Sequence, residues 1–209
     1  NQKYYGVYFM VEALDSSILE QHKGVEDKEI SPYLTKPEES TLEYDTAMDR
    51  FMKKDGTFDL SSVLKQDGSG IFKASGALKK QSYLWEDDEE TLQDVAEMMP
   101  TVLGWQRKLT LLSHGKDFQG NKIDVNSDEY LKLLEEIMDV DETVRYFAAH
   151  SWLVQLDDMF VVMRNMGLYI DRNGRSMMLP WDYDLSFGCY YPSMAETTAN
   201  MHIDLMYRA

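Results

Sequence analysis

Cysteine, basic residues and long apolar runs are all scarce in this chain of 209 residues. The single cysteine, Cys189, excludes an internal disulfide framework. No apolar run approaches the ~20 residues that a membrane-spanning helix requires, so no span is expected. Lysine and arginine total 21 against 37 acidic residues, which gives a net charge of −16. This shortage of positive charge argues against binding to nucleic acid or to an anionic membrane surface.

Several signature motifs are missing as well. The chain has neither G-x-x-x-x-G-K-[ST] nor G-x-G-x-x-G, which excludes an ordinary P-loop and a glycine-rich kinase loop. It has no H-E-x-x-H, and its four histidines are scattered, so no zinc site is predicted. His150 lies in an apolar helical segment and is predicted to be a buried core residue.

The remaining composition is that of a globular chain, with 44% hydrophobic residues and length enough for one domain with one core. The sequence begins with a strand-like segment and no initiator Met, so we expect an excerpt truncated at both ends. Aromatic and β-branched residues predict strands over 4–12 and 70–78. Residues 23–70 are charged and turn-rich, which predicts an insertion or surface excursion. The expected fold is α+β, strand-rich to about residue 80 and helical after it.

Four helical segments are predicted. A short helix follows Asp15, and residues 83–113 form a helical stretch interrupted at Pro100. Ser127 is the expected N-cap of the next helix. Residues 140–156 carry the strongest helical pattern and are apolar nearly all round, so this helix is expected to be central. Its inward positions are predicted at three- and four-residue steps: Val144, Phe147, Ala148, Ser151 and Trp152.

A β-hairpin is predicted next, with arms GLYI and SMMLPW joined by D-R-N-G, in which Asn173–Gly174 is the strongest two-residue turn signal. Pro180 indicates that the second arm is an edge strand or ends there. The strand-like run LPWDYDLSFG (179–188) then sets Asp182 and Asp184 among apolar residues. Because burying an unpaired carboxylate costs several kcal/mol, these acids are expected either to hold a cation or to be exposed edge residues.

The order of these features matches the layout used in phosphoryl transfer. A buried helix leads to Asp157 and Asp158, Asn165 follows, and Asp182 comes after the hairpin. In that layout one acid orients the attacking hydroxyl, while an Asn and a later Asp hold a metal ion. Carboxylate and amide oxygens suit Mg²⁺ or Mn²⁺ better than Zn²⁺. From the residues alone, other interpretations stay open: Asp157 and Asp158 could form a polar helix end, Asn165 could be a turn residue, and Asp182 could be a turn acid at a strand end.

At these residues the chain resembles the CotH kinases, the spore coat protein H family of atypical protein kinases. The stretch YYGVYFMVEALDSSIL is similar to the family's opening G-x-Y-x-x-x-E, and GIFKA to its Leu-Tyr-Lys-Ala/Pro strand. VRYFAAHSWLVQLDD with RNMGLY resembles the segment that carries the catalytic Asp and then Asn-x-x-Leu-Tyr. LPWDYDLSFG resembles Pro-Trp-Asp-x-Asp/Asn-x-x-Phe-Gly. The resemblance implies an atypical protein-kinase-like fold that binds ATP with Mg²⁺.

The resemblance also implies roles for the acidic and amide residues. Asp182 corresponds to the metal-binding acid, Asn165 to the second metal ligand, and Asp184 would assist at the metal. Asp157 aligns with the catalytic acid, since the family's Asn-aromatic-Asp corresponds to Gln155-Leu156-Asp157. Asp158 is the rival for that role.

For the nucleotide, the resemblance implies that Lys73 contacts the phosphates and that Glu12 orients this lysine. Lys36, in YLTKPEE, resembles the Lys-Pro version of the same strand and is the rival.

The implied activity is transfer of the ATP γ-phosphoryl group to Ser or Thr of a protein partner. The net charge of −16 favours a basic or Ser/Lys-rich acceptor, and the family implies a bacterial spore-coat or cell-surface setting. Gln155 and Arg164 depart from the Asn and His usual in the family, so a catalytically inactive kinase-like binding protein is the alternative. A metal-assisted hydrolase built on the same carboxylates is a third possibility.

Overall fold

The computed structural model describes residues 14, 16–26, 29–31, 33–35, 42–59, 89–153, 155 and 165–187. The strands predicted over 4–12 and 70–78 lie outside this part of the chain, as do five predicted site residues: Glu12, Lys36, Lys73, Asp157 and Asp158. In chain order the described elements are α1 (Ser16–Lys23), β1 (Leu34–Thr35), a 3₁₀ helix (Thr46–Phe51), α2 (Glu89–Ser113), α3 (Asp128–Ile137), α4 (Val140–Leu153), β2 (Met166–Ile170) and β3 (Ser176–Pro180).

The three strands form one antiparallel sheet in the order β1-β2-β3. Its register pairs Leu34 with Tyr169 on one side of β2 and Met166 with Pro180 on the other. β3 ends at Pro180 and is an edge among the described strands, as the proline predicted. Helices and a small sheet together are compatible with the α+β prediction. None of the described helices has the length and apolarity needed to cross a membrane.

The hairpin between β2 and β3 is confirmed, and the Asn173–Gly174 signal lies in its turn, which is longer than two residues. Five residues, 171–175, lie between the strands, and the N–H of Asp171 donates to the carbonyl of Arg175 at 3.0 Å, which closes a three-residue loop, 172–174. Of the Asn173–Gly174 pair only Gly174 has a positive φ, 79°. The carboxylate of Asp171 accepts hydrogen bonds from the backbone N–H groups of Asn173 (2.9 Å) and Arg175 (2.8 Å). These two bonds favour the longer loop, with glycine at the left-handed position.

The predicted interruption at Pro100 is wrong, because α2 continues through it from Glu89 to Ser113. Proline has no N–H to donate to the carbonyl of Ala96, so the helix loses one hydrogen bond there. Met98, Met99 and Val102 on either side of it are buried. The packing of these three side chains offsets the lost hydrogen bond. A rule based only on the presence of proline in the sequence does not take this packing into account.

The predicted inward face of α4 is wrong for most of its residues, although Phe147 packs against the main core cluster. Its buried residues are Thr143, Tyr146 and His150, whereas Val144 is 55% exposed and Trp152 is 75% exposed. Because the helix is apolar nearly all round, its spacing alone does not select a face. The prediction that His150 belongs to the core is confirmed, since its side chain is fully buried.

Residues within 23–70 also correct a prediction, because several of them belong to the core rather than to a surface excursion. Tyr33, Met48, Phe51 and Phe58 are buried in the main cluster together with residues of α2. The backbone N–H of Tyr44 donates to Thr110 Oγ1 on α2 at 2.8 Å, which holds this segment against the helix. The apolar residues of this segment are sparse and lie among many charged residues, so its composition did not predict that they would be buried.

Gly167 in β2 has no room for a side chain. A Cβ at this position would lie 2.8 Å from Leu14 Cδ2 and 3.0 Å from Leu179 Cβ, and both leucines are buried. We expect Gly167→Ala to lower the free energy of unfolding by about 1–3 kcal/mol, as overpacking of a core does. Urea denaturation measures this.

Gly104 in α2 is the matched control, since a Cβ added there would meet no other side chain of the described residues within 4 Å. Gly104→Ala should therefore stabilise the chain by about 0.5–1 kcal/mol through helix propensity. Equal denaturation midpoints for the two variants would contradict the close packing at Gly167.

Candidate functional site

The two aspartates that follow β3 lie in a turn rather than in a strand. The strand-like run predicted over 179–188 is wrong beyond Pro180, where β3 ends, and the chain turns through residues 181–187, here called the acidic loop. The side chains of Asp182 and Asp184 are exposed. Exposure, one of the two expectations for these acids, is found and leaves both carboxylates accessible to a ligand, while the binding of a cation stays a prediction.

The sheet register carries Asn165 and Asp182 to the same end of the hairpin. Met166 pairs with Pro180; Asn165 lies one residue before this pair and Asp182 two residues after it. Both residues have a φ of 57°, in the left-handed region. Asn and Asp are the non-glycine residues that tolerate this region best. Where the two strands diverge, the side chain of Asp182 is exposed and that of Asn165 is buried.

Three contacts hold the acidic loop against the C-terminal end of α4. The Tyr183 hydroxyl is hydrogen-bonded to His150 Nε2. The backbone N–H of Phe187 donates to the carbonyl of Leu153 at 2.6 Å. The Nε2 of Gln155, two residues beyond α4, donates to the carbonyl of Asp182 at 2.7 Å. The loop is therefore tied to the helix near its beginning and at its end.

Gln155 is the functional candidate that the sequence did not single out. Its side chain is fully buried, and its Oε1 accepts a longer hydrogen bond, 3.4 Å, from Ser186 Oγ. The residue thus contacts both Asp182 and Ser186 of the acidic loop. Most buried side-chain amides are hydrogen-bonded, so a glutamine in an apolar segment just before two aspartates was the available signal.

A model of the family described as CotH kinase protein matches residues 1–206 of the chain. The chain belongs to the CotH kinase family. The match includes every residue that the sequence proposes for the site, from Glu12 to Asp184. Neither a curated protein nor a solved structure matches the chain. Membership of the CotH family supports a kinase-like function for the chain.

The donor set of this CotH family member fits a hard divalent cation. Asp182 and Asp184 offer exposed carboxylates, and Asn165 carries an amide oxygen on a buried side chain. Within the described ranges no three His, Cys, Asp or Glu side chains group closely enough to hold a metal ion. Mg²⁺ does not need such a cage, because it is commonly held by one or two carboxylates together with substrate phosphates. The family's use of ATP and a divalent metal is therefore chemically compatible with these residues.

Two surfaces border the acidic loop of this CotH domain. On one side a cleft of about 520 Å³ lies between α4 and β3, and Pro180 and Tyr183 contribute to its lining. An ion pair between Lys23 and Glu142 joins α1 to α4 in this cleft. Burial lowers the pKa of the Lys23 ammonium, and the Asp139 carboxylate acts in the opposite direction.

The second surface is aromatic. Trp152 at the end of α4 and Phe187 at the end of the acidic loop meet edge to face, with ring centroids 6.1 Å apart. Both side chains are largely exposed. Their contact adds a fourth link between the helix and the loop, on the solvent side.

Proposed function

We propose that this CotH family member is a protein kinase that transfers the γ-phosphoryl group of ATP to a Ser or Thr hydroxyl of a protein partner. The observation that carries the proposal is the hairpin register, which brings Asn165 and Asp182 to one end of the sheet beside the end of α4. The chain from α4 continues directly to Asp157 and Asp158. An acid for the hydroxyl and oxygen ligands for a metal are the groups that phosphoryl transfer requires.

The proposed fold is an atypical protein-kinase-like one, with nucleotide held between a strand-rich N-terminal part and a helical C-terminal part. Lys73 neutralises phosphate charge, with Lys36 as the rival for that role, and Glu12 orients the lysine. In the absence of a P-loop or a glycine-rich kinase loop, backbone N–H groups and this lysine hold the phosphates. The motif resemblance and the family match over residues 1–206 support these assignments.

In the proposed reaction Asp157 orients the acceptor hydroxyl and takes its proton, with Asp158 as the rival. The hydroxyl oxygen bonds to the γ-phosphorus, the bond from that phosphorus to the β-phosphate oxygen breaks, and ADP leaves with its electron pair. Asn165 and Asp182 would hold Mg²⁺, with Asp184 assisting, and the ion would offset negative charge on the phosphates. Positioning of the reactants provides the rest of the rate enhancement.

The proposed acceptor is a basic or Ser/Lys-rich protein segment, at a spore coat or cell surface. The chain carries a net charge of −16, so a positively charged acceptor is attracted over distances comparable to the Debye length, about 8–10 Å. Attraction of this kind weakens as salt is added, and the transfer rate at low acceptor concentration should fall with it.

The proposal is tested first by thermal unfolding with ATP and Mg²⁺. A ligand at about 100 times its Kd stabilises the folded state by about 2.7 kcal/mol, which for a domain of this size raises the melting temperature by about 5–10 °C. We expect that rise only when ATP and Mg²⁺ are both present. Mg²⁺ alone and ATP with excess EDTA are the matched controls.

A well-folded chain that ATP and Mg²⁺ do not stabilise would contradict the kinase proposal. It would favour the inactive kinase-like binding protein, which the departures at Gln155 and Arg164 motivate. Release of inorganic phosphate from ATP at the same rate with and without a protein acceptor would instead indicate the metal-assisted hydrolase.

A further inference from the structure

Two residues of the acidic loop hold backbone conformations that few side chains adopt. Asp182 has a φ of 57° and Phe187 a φ of 58°. Asp is tolerated in this left-handed region, whereas a bulky residue such as Phe is an outlier there. Conformations of this kind persist only where the surrounding structure holds them in place, and they are concentrated at functional sites.

Each of these two residues is hydrogen-bonded to the end of α4. The carbonyl of Asp182 accepts from Gln155 Nε2 at 2.7 Å, and the N–H of Phe187 donates to the carbonyl of Leu153 at 2.6 Å. The second bond uses only main-chain atoms, so no side-chain substitution removes it directly. The first depends on one side chain, that of Gln155.

The two contacts of Gln155 need a side chain that both donates and accepts, and a side-chain amide does both. Its Nε2 donates to Asp182 while its Oε1 accepts from Ser186. An apolar side chain of similar size can do neither. The backbone N–H of Gln155 donates to the carbonyl of His150 at 3.3 Å, which fixes the residue to α4 itself. The amide is therefore held rigidly between the helix and the loop.

We propose that Gln155 is a positioning residue that fixes the direction of the Asp182 carboxylate by holding the main-chain carbonyl of the same residue. This role rests on the proposed function, because a fixed direction matters only if Asp182 holds a metal ion. Groups that orient metal ligands through hydrogen bonds commonly change metal affinity or activity by about 10–100-fold when they are replaced.

The loop itself is tested without any ligand, by hydrogen exchange on Gln155→Met. The amides of Ser186 and Phe187 donate to the carbonyls of Tyr183 and Leu153, so their exchange reports whether the loop stays closed. We expect these two amides to exchange about tenfold faster or more in the variant, the scale of one lost hydrogen bond in a partly buried site.

Gln106 provides the matched control, because it is a buried glutamine on α2 whose Oε1 has no hydrogen-bond partner among the described residues. Gln106→Met makes the same chemical change and should leave the loop amides unaffected. If Gln155→Met does not fold, Gln155→Asn keeps a polar amide that is too short to span the same distance, and the same two amides should exchange faster.

The dependence of ATP stabilisation on Mg²⁺ concentration distinguishes a positioning role of Gln155 from a purely structural one. In Gln155→Met the Mg²⁺ concentration that gives half of the ATP-dependent stabilisation should rise by about 10–100-fold, whereas in Gln106→Met it should not change. Unchanged exchange at Ser186 and Phe187, or an unchanged Mg²⁺ requirement, would overturn the proposal. If the parent chain is not stabilised by ATP and Mg²⁺, both the proposed function and the positioning role of Gln155 fail. Faster exchange of the loop amides in Gln155→Met would still show that Gln155 holds the loop.

Discussion

Asp182→Asn is expected to lower Mg²⁺-dependent phosphoryl transfer by about 10²–10³-fold, the scale found when one preorganised electrostatic group is removed from an active site. The substitution removes the negative charge and one of the two carboxylate oxygens, while the side chain keeps its size. Transfer of labelled γ-phosphate from ATP to a basic Ser-containing protein, followed as a function of Mg²⁺ concentration, measures the loss.

The backbone conformation at position 182 allows the substitution to be made without destabilising the fold. Asp182 has a φ of 57°, and Asn tolerates the left-handed region at least as well as Asp does. The side chain is exposed, and substitutions at exposed positions usually change stability by no more than about 0.5 kcal/mol. A melting temperature close to that of the parent is therefore expected without ligand, so lost activity would not reflect unfolding.

Asp94 is the control for the change of charge. It is also an exposed aspartate, on α2, and Asp94→Asn alters the net charge of the chain by the same amount. We expect Asp94→Asn to transfer phosphate at the parent rate. An Asp182→Asn variant that also matched the parent at every Mg²⁺ concentration would exclude Asp182 as a metal ligand.

Features determined by neighbouring residues were predictable from the sequence. Ser127 caps α3 as predicted, with its Oγ accepting from the N–H of Tyr130 at 3.1 Å. The hairpin arms lie where the alternation and the turn residues indicated. Once the hairpin is known, its register places Asn165 and Asp182 at the same end of the two strands. The proximity of these two residues therefore also follows from local signals in the sequence.

Features that depend on distant packing were not predictable. The buried face of α4 depends on contacts with distant residues: Tyr146 packs into the main core cluster, and the rings of His150 and of Tyr183 in the acidic loop meet at 58° with centroids 4.9 Å apart. That loop follows β3 in the chain, so the spacing within the helix carries no information about it. The role of Gln155 has the same origin, since its partners Asp182 and Ser186 are 27 and 31 residues away.

The second large effect on phosphoryl transfer is expected from replacing the acid that accepts the hydroxyl proton, which is either Asp157 or Asp158. Both residues lie outside the described part of the chain. Asp157→Ala is expected to lower phosphoryl transfer by about 10²–10⁴-fold, the contribution of a positioned general base. Asp158→Ala should retain most of the activity, because the family's Asn-aromatic-Asp aligns with Gln155-Leu156-Asp157. The transfer assay used for Asp182→Asn measures both.

Thermal unfolding distinguishes loss of the general base from loss of the metal site. The proposed acid acts on the acceptor hydroxyl, so Asp157→Ala should still be stabilised by ATP with Mg²⁺ to the parent's extent, whereas Asp182→Asn should lose most of that stabilisation. A large loss of transfer in Asp158→Ala alone would reassign the role to Asp158. If both alanine variants kept the parent's rate, neither aspartate would be the base. Lost ATP stabilisation in Asp157→Ala would instead indicate that this residue contributes to the nucleotide or metal site.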